Sequence, residues 1–286
     1  MTAFVMSVAM CLLAEPATEV FFQAHRGAVE EAPENTLAAL NLAFDVPGAV
    51  PEVDLQTTSD GAVVCIHDDT PARTTNAPEQ WRDKPIVEIP LDVIRTWDAG
   101  SWFSKEFAGE KVPTLEEVLA MLKAGPERQM YLDLKGVDVP RLVNRLQADG
   151  LERQVIFVHG DPAECLRLSA LYPGARTMTW LSGPPRKVKA DFEALKASGF
   201  QGLWQLQFHL PPGRKGEAWP FALDENFLRE AVAAMKAAGV VPQARLFDTS
   251  PAVLATALDL GVPWFVADAP QAFGAAVARV KSSGAS

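Results

Sequence analysis

Short apolar runs alternate with longer amphipathic stretches from about residue 20 to residue 280. Runs of this kind are typical of parallel strands that are buried on both faces, and the amphipathic stretches between them are typical of covering helices. The pattern predicts strands at residues 20–24, 50–55, 130–135, 155–158, 176–181, 202–207, 240–246 and 264–267. It predicts helices at residues 36–44, 114–123, 140–149, 162–171, 188–198, 225–238, 251–260 and 270–280.

Capping residues support these boundaries. Asp161, Asp224 and Ser250 stand where N-caps are expected, and Gly150 and Gly239 stand where helices should end. Eight alternating strand and helix units predict the α/β class and a single TIM (β/α)8 barrel, for which 286 residues suffice without a second domain. We expect the barrel domain to span residues 18–286.

Residues 68–113 interrupt the alternation after the second barrel strand. This stretch is too long for a simple connection and is rich in Thr, Pro, Asp and Trp. We interpret it as a small insertion that caps the mouth of the barrel.

Polar motifs follow the predicted strands closely. Ala24-His25-Arg26-Gly27 ends the first strand, Glu52 and Asp54 lie two residues apart in the second, and His67-Asp68 comes soon after it. On a strand, two residues at this spacing point to the same face, so both carboxylates can share one cation. Active sites in TIM barrels lie at the carboxyl ends of the strands, which is where these motifs are expected.

The residue types suit phosphodiester chemistry. An arginine such as Arg26 can bind two phosphate oxygens at once, and a histidine can accept or donate a proton near neutral pH. A cation between carboxylates acts as a Lewis acid toward a phosphoryl group. A hydrogen-bonded structural histidine is the alternative for His25 and His67, and an exposed acidic face is the alternative for Glu52 and Asp54. Both are less favoured, because two of the four histidines of the chain fall inside the same motif set.

The order and spacing of the motifs resemble the glycerophosphodiester phosphodiesterase family. The resemblance rests on His25-Arg26-Gly27, Pro33-Glu34-Asn35-Thr36, Glu52-x-Asp54, His67-Asp68, Arg73-Thr74-Thr75 and Val112-Pro113-Thr114. It implies hydrolysis of glycerophosphodiesters to an alcohol and sn-glycerol 3-phosphate, with a cyclic phosphate as an intermediate if a neighbouring substrate hydroxyl attacks first.

The resemblance also implies a set of site residues. One divalent cation, Ca²⁺ or Mg²⁺, would be held by Glu52, Asp54 and Asp133. Arg26 and Lys135 would contact the phosphate. His25 and His67 would share the general acid and general base roles, and the sequence does not assign which is which. Glu34 and Asn35 are expected to brace the loop after the first strand.

The chain departs from the family pattern in three places. Asp133 stands where a longer glutamate is usual, Arg245-Leu246-Phe247-Asp248 replaces Trp-Thr-Val-Asn, and Ala267-Asp268-Ala269-Pro270 replaces Thr-Asp-Tyr-Pro. The departures leave two alternatives open. One is a phosphodiesterase that acts on a lysophospholipid or sphingolipid and releases a cyclic product, and the other is a barrel that binds phosphodiesters without turnover.

Further polar and aromatic residues near strand ends are candidates for the pocket. His159 and His209 follow or end predicted strands, and each is as easily a rim or loop-supporting residue as a substrate contact. The tryptophans and phenylalanines are more often core residues than ligand contacts. The candidate pocket residues are His159, Trp204, Gln207 and Phe247.

The net charge argues against one class of partner, and the cysteines argue against disulfides. A formal net charge of −10 argues against a nucleic-acid surface. The family resemblance implies that the partner is a small-molecule glycerophosphodiester. Cys11, Cys65 and Cys165 are odd in number and far apart, which indicates small buried residues rather than disulfides.

Within the N-terminal residues 1–17, Met1 to Ala14 form an apolar run that is too short to span a bilayer, so no stable membrane insertion is expected. The run resembles a signal peptide but lacks Lys or Arg before the apolar part. We interpret it as a signal peptide or an N-terminal extension, with a periplasmic or secreted location favoured over a cytoplasmic one. The alternative is a strand or helix that closes the bottom of the barrel.

Overall fold

The structure, a computed structural model, describes residues 19–283 and contains a closed barrel. Within those residues, eight parallel strands form a ring in which the first strand pairs with both the second and the last. A ninth strand, β3, pairs antiparallel with β2 outside the ring. The predicted α/β class and single TIM barrel are therefore confirmed. The strands are β1 Phe21–Ala24, β2 Ala49–Thr57, β3 Val63–Cys65, β4 Met130–Leu134, β5 Val155–Val158, β6 Thr177–Leu181, β7 Gln205–Leu210, β8 Val241–Leu246 and β9 Trp264–Ala267.

Helices connect the barrel strands and cover the outside of the ring. Most begin at a polar N-cap: Thr114, for example, forms a reciprocal capping box with Glu117, and Asp224 accepts from the backbone N–H of Phe227. The helices are α1 Leu37–Phe44, α2 Glu79–Arg82, α3 Leu91–Ile94, α4 Leu115–Lys123, α5 Val139–Asp149, α6 Pro162–Leu171, α7 Pro185–Ala197, α8 Glu225–Ala237, α9 Pro251–Asp259 and α10 Pro270–Ser283.

The sixth predicted strand, which corresponds to β7, is displaced along the chain. We expected residues 202–207, whereas β7 is Gln205–Leu210. Gly202 has a φ of +77°, and the Leu203 N–H donates to the carbonyl of Phe200, so the chain is still turning at these residues. The apolar residues before Gln205 belong to this turn, and the polar alternation after it belongs to the strand.

The segment between β3 and α4 packs as a small unit of its own. The segment has its own cluster of buried apolar side chains, which an exposed loop would lack. The cluster includes Ile86, Ile89, Ile94 and Trp97. The short helices α2 and α3 and the strand β3 in this region were not predicted, because elements of three or four residues leave little periodicity.

The interior of the barrel is apolar at one end and polar above it. Val50, Tyr131, Ile156 and Trp264 form an apolar layer near the amino ends of the strands. Buried glutamines at positions 23, 205, 207 and 243 extend from this layer toward the carboxyl ends, and the Tyr131 hydroxyl donates to Gln205 at 2.8 Å. The interior of the barrel toward the carboxyl ends of the strands therefore rests on a layer of hydrogen-bonding groups.

Three further expectations concern the chain ends and the cysteines. Cys65 and Cys165 are free and buried, as predicted. The proposed signal peptide or extension at residues 1–17 and Cys11 lie outside the described residues. Among residues 19–283, no helix combines the length and the apolar character needed to cross a bilayer.

Substitution of Gly27 tests whether the turn after β1 requires a residue without a Cβ. Its φ is +84°, and an added Cβ would lie 2.8 Å from the Ala39 Cβ and 2.9 Å from the Ala39 carbonyl carbon. We expect Gly27→Ala to lower the free energy of unfolding by about 3 kcal/mol, the sum of backbone strain and overpacking. Gly150→Ala is the matched control, because Gly150 has a φ of +68° with nothing within 4 Å and should cost only ~1 kcal/mol. Urea denaturation measures both, and equal losses in the two variants would contradict the predicted steric contact.

Candidate active site

A cavity of about 170 Å³ opens at the carboxyl ends of the barrel strands. Its position agrees with the rule that TIM barrels place their sites at this end. The residues that line it come from β1, β2, the β3–α4 segment and β4 to β9, so most of the ring contributes. They are Gln23, His25, Glu52, Asp54, His67, Asp133, Lys135, Val158, Met178, Trp180, Gln207, His209, Arg245 and Val266.

Three carboxylates converge on one side of this cavity. Asp54 of β2 is the register partner of Asp133 of β4, and Glu52 lies two residues earlier on β2. One oxygen from each of the three lies within 4.8 Å of the others. Burial and the two neighbouring carboxylates raise the pKa of Glu52, and burial together with Asp54 raises the pKa of Asp133 to about 6. The shorter Asp133 side chain still reaches the group that the sequence assigned to it.

The carboxylate set fits a hard divalent cation. All three ligands are oxygens, which is the donor type that Ca²⁺ and Mg²⁺ prefer. Burial and the repulsion between the carboxylates together raise these pKa values, and a cation between the carboxylates would remove the repulsion. Glu52, Asp54 and Asp133 could therefore hold a metal ion.

Lys135 supplies positive charge beside the carboxylates. Its Nζ lies 3.3 Å from Asp54 Oδ1 and 3.4 Å from Asp133 Oδ2. Burial alone would lower the pKa of Lys135, but these two carboxylates outweigh it and raise the pKa. Lys135 is therefore a fixed cation at the edge of the carboxylate group.

Residues of the loop after β1 form hydrogen bonds with Glu52 and Asp54. The Arg26 N–H donates to Glu52 Oε2 at 2.5 Å, and Asn35 both donates to Asp54 Oδ2 at 2.8 Å and accepts from the Asp54 N–H at 2.9 Å. Arg26 and Asn35 have φ values of +50° and +58°, a conformation that costs energy in residues other than glycine. The predicted bracing role of Asn35 is thus exerted on Asp54.

The Arg26 side chain is part of a chain of ion pairs. Its Nη1 donates to Glu34 Oε1 at 2.9 Å, and Nε lies 3.6 Å from Asp54 Oδ2. Arg73, from the inserted segment, binds the same Glu34 through two nitrogens and binds Asp68 through two. Burial opposes ionisation of Glu34, but the hydrogen bond from Arg73 and the charge of Arg26 hold its pKa below the ordinary value.

Each of the two predicted catalytic histidines has a carboxylate partner. His25 Nδ1 lies 2.6 Å from Asp268 Oδ1, and His67 Nδ1 lies 2.7 Å from Asp68 Oδ1. Burial lowers the pKa of His25 despite the opposing effect of Asp268, and the charge of Arg245 lowers it further. His25 is therefore neutral at pH 7.

The other side of the cavity is formed by β6, β7 and β8. Trp180, Gln207, His209 and Arg245 point inward there, and Arg245 Nη2 donates to both oxygens of Asp268 at 3.0 Å. Burial opposes ionisation of Asp268, but the hydrogen bond from His25 and the charge of Arg245 keep its pKa below the ordinary value. Asp268 thus joins the two sides of the cavity.

The candidate pocket residues are placed differently by the structure. Gln207 lines the cavity near its floor. Phe247 is 56% exposed at the rim, with its ring 6.1 Å from that of His209. His159 does not line this cavity and instead borders a groove beside Leu134 and Leu168.

The prediction that Trp204 lines the pocket is wrong. Trp204 precedes β7 and packs against Trp264 in the apolar layer at the amino end of the barrel. The error follows from the displaced strand, because residue 204 lies just before β7 rather than near the end of a strand. Trp180 is the tryptophan that reaches the cavity.

Asp268, Arg245 and Arg73 are functional candidates that the sequence prediction did not assign. Asp268 and Arg245 stand at the ends of β9 and β8, where a polar residue after an apolar run is a usable signal. Arg73 lies in the inserted segment, and its partners Glu34 and Asp68 cannot be read from local spacing.

Comparison with known proteins agrees with this geometry. Residues 25–272 match the model of the glycerophosphoryl diester phosphodiesterase family. A glycerophosphodiester phosphodiesterase of Caldanaerobacter subterraneus is 42% identical over 99 residues, which are 35% of this chain and 39% of that protein. The matched segments cover only 39% to 50% of the length of this and similar curated relatives.

Two solved structures resemble the whole fold. The glycerophosphodiester phosphodiesterase of Agrobacterium tumefaciens superimposes with a TM-score of 0.68 at 26% identity, covering 90% of this chain and 99% of that one. A phosphodiesterase of Oleispira antarctica, solved in complex with the product sn-glycerol-3-phosphate, gives a TM-score of 0.67 at 25% identity and covers 90% and 96%. With a family match that includes every carboxylate and histidine described above, the chain belongs to the glycerophosphoryl diester phosphodiesterase family.

Proposed function

We propose that this protein is a divalent-cation-dependent hydrolase that cleaves glycerophosphodiesters to an alcohol and sn-glycerol 3-phosphate. The observation that carries the proposal is the presence of two histidine–carboxylate pairs and three converging carboxylates around one cavity of about 170 Å³. Binding alone would not need two groups that can transfer protons, so a catalytic barrel is favoured over a binding barrel.

The proposed cation is Ca²⁺ or Mg²⁺, held by Glu52, Asp54 and Asp133. When bound, it would neutralise negative charge on the phosphoryl oxygens as a Lewis acid. Lys135 stands next to these carboxylates and is directed into the same cavity, so it can bind a phosphate oxygen beside them. Arg26 adds a second positive charge close to Asp54. The positive charges of Lys135 and Arg26 would act most strongly on the transition state, where negative charge on the phosphoryl group is greatest.

The hydrogen bonds of His25 favour it as the general base. Asp268 is ionised and can only accept, so His25 Nδ1 carries the proton and Nε2 keeps a lone pair. Nε2 can take a proton from the attacking hydroxyl or water as the new P–O bond forms. His67 is then the group that delivers a proton to the departing alkoxide as the old P–O bond breaks, while Arg73 fixes its partner Asp68.

The size and lining of the cavity favour a small polar substrate. A volume of about 170 Å³ with His, Gln, Arg, Lys and carboxylate side chains suits a phosphorylated polyol better than an acyl chain. The complex of the Oleispira antarctica phosphodiesterase with sn-glycerol-3-phosphate supports the same substrate class.

Removal of either histidine tests the proton-transfer proposal. We expect His25→Ala and His67→Ala each to lower kcat for glycerophosphocholine by ~10²-fold or more, because a positioned acid or base contributes about that factor. Circular dichroism and cation binding should be unchanged, because neither residue belongs to the carboxylate group. His159→Ala is the control and should keep wild-type turnover, since His159 lies outside the cavity. Wild-type kcat in either of the first two variants would contradict the mechanism.

Cation removal tests the metal proposal and the class of substrate. Protein stripped with EDTA should not release glycerol 3-phosphate from glycerophosphocholine or glycerophosphoethanolamine, and Ca²⁺, Mg²⁺ or Mn²⁺ added in turn should identify the cation that restores release. We expect Glu52→Gln to abolish restoration and to lose the rise in Tm that the cation gives the wild type.

The same variant has a built-in stability control. Without cation, Glu52→Gln should unfold at a temperature equal to or above that of the wild type, because it removes one of three mutually repelling carboxylates. A cation-free Tm well below the wild-type value would mean that the glutamine damages the fold. Turnover by EDTA-stripped wild type would refute the metal proposal.

The pH dependence of kcat/KM tests His25 as the base. Activity requires neutral His25, and burial and Arg245 lower its pKa from the ordinary 6.5, so the acidic fall in kcat/KM should lie below pH 6.5. Asp268→Asn should reduce kcat by ~10²-fold or more, because the imidazole loses the acceptor that fixes its tautomer. Asp248→Asn, at an exposed carboxylate near the rim, should leave both kcat and the profile unchanged. An acidic fall centred above pH 7 in the wild type would exclude His25 as the base.

A further inference from the structure

His209 and Arg245 form a polar pair on the β7 and β8 side of the cavity, and the proposed mechanism assigns neither of them a contact with the substrate. They are register partners on β7 and β8, and both line the cavity. The ring of Phe247 lies 6.1 Å from that of His209 and 6.0 Å from the Arg245 guanidinium carbon, so it covers the pair from the rim. The pair is therefore enclosed between the buried glutamines below and an aromatic ring above.

A chain of hydrogen bonds beneath His209 has only one self-consistent direction. The backbone carbonyl of Phe265 can only accept, so the nitrogen of the Gln243 amide must point to it, at 3.1 Å. Gln243 Oε1 is then left to accept from Gln207 Nε2 at 2.8 Å. That leaves Gln207 Oε1 facing His209 Nε2 at 2.9 Å, and an oxygen in this position needs a donor.

The direction of this chain determines the tautomer of His209. Nε2 must carry the proton, so in the neutral ring Nδ1 has a bare lone pair. Burial, Arg245 and His25 lower the pKa of His209 to about 4, which keeps the ring neutral at physiological pH. Within residues 19–283, Nδ1 of His209 has no hydrogen-bond partner. It is therefore an unused acceptor in a cavity-lining side chain.

Arg245, the register partner of His209, offers donors in the same cavity. Its Nη2 is occupied by Asp268, whereas Nε and Nη1 make no hydrogen bond to any described residue. A single group that both donates and accepts would satisfy the pair, and an alcohol hydroxyl is such a group. An anionic oxygen has no proton to give to Nδ1, and a methyl group would leave Nδ1 unpaired.

We propose that His209 and Arg245 form a hydroxyl subsite that recognises the terminal hydroxyl of the glycerol moiety, with Gln207 and Gln243 as positioning residues that fix the tautomer of His209. This inference rests on the proposed function for its substrate class. It makes His209 a determinant of specificity for a polyol phosphate over the corresponding deoxy compound.

Two substitutions at position 209 separate the two ring nitrogens. His209→Gln places a polar group near the position of Nε2, so it keeps the contact with Gln207 and loses the acceptor at Nδ1. His209→Asn places its amide oxygen near the position of Nδ1, so it keeps an acceptor for the hydroxyl and loses the contact with Gln207. Since both are uncharged amides, general effects of the substitution are matched.

The first experiment compares the binding of sn-glycerol 3-phosphate with that of propane-1,2-diol 1-phosphate, which lacks the terminal hydroxyl, by calorimetry at one fixed cation concentration. We expect the wild type to prefer glycerol 3-phosphate by ~10-fold, the worth of about one hydrogen bond with a buried partner. His209→Asn should retain a preference, and His209→Gln should bind both compounds within about twofold. Equal binding of both by the wild type, or a wild-type preference in His209→Gln, would overturn the inference.

The second experiment reads the tautomer directly. In protein labelled with ¹⁵N-histidine, the His209 side chain should give the NMR signature of the Nε2–H form, and Gln243→Leu should allow the Nδ1–H form to appear. Glycerol 3-phosphate should shift the Nδ1 resonance and propane-1,2-diol 1-phosphate should not. An Nδ1–H form in the wild type would refute the hydrogen-bond chain. Neither experiment needs turnover, so a protein that hydrolyses no diester would count against the proposed function alone.

Discussion

Repulsion among three carboxylates, two of them almost fully buried and the third partly buried, is the constraint on which the site depends. Glu52 and Asp54 are almost fully buried, and one oxygen of each lies within 4.8 Å of an oxygen of Asp133. Such a group is unfavourable unless donors and cations surround it. Lys135, the Arg26 N–H and Asn35 supply that compensation. Arg26 and Asn35 are two of these three donors, and both have positive φ values. The backbone strain therefore occurs at residues that stabilise the charge of the carboxylates.

The inserted segment takes part in the same electrostatic arrangement. Arg73 binds Glu34, which binds Arg26, and it also binds Asp68, which binds His67. The hydrogen bonds of Arg73 lower the pKa of Asp68 and raise its own. A residue outside the barrel strands therefore links the proposed proton donor to the proposed phosphate-binding side, so the inserted segment is a structural part of the site.

The sequence predicts those parts of the fold and of the site that depend on local pattern. Period-two spacing placed Glu52 and Asp54 on one face, and strand ends placed His25, Asp133 and Lys135 at one end of the barrel. Local pattern failed at β7, where a turn with apolar residues resembled the start of a strand and misplaced Trp204. It also could not pair His25 with Asp268 across 243 positions, because only closure of the ring brings β1 and β9 together.

Two histidines in one cavity are given opposite tautomers by the chemistry of their partners. A carboxylate holds the proton of His25 on Nδ1 and leaves Nε2 free, whereas an amide oxygen holds the proton of His209 on Nε2 and leaves Nδ1 free. Arg245 stands beside both, and its charge adds to burial in lowering both pKa values. One guanidinium therefore helps to keep both rings neutral. In the proposed mechanism, the neutral His25 takes a proton from a reacting group. In the proposed subsite, the neutral His209 accepts a hydrogen bond from a group that does not react.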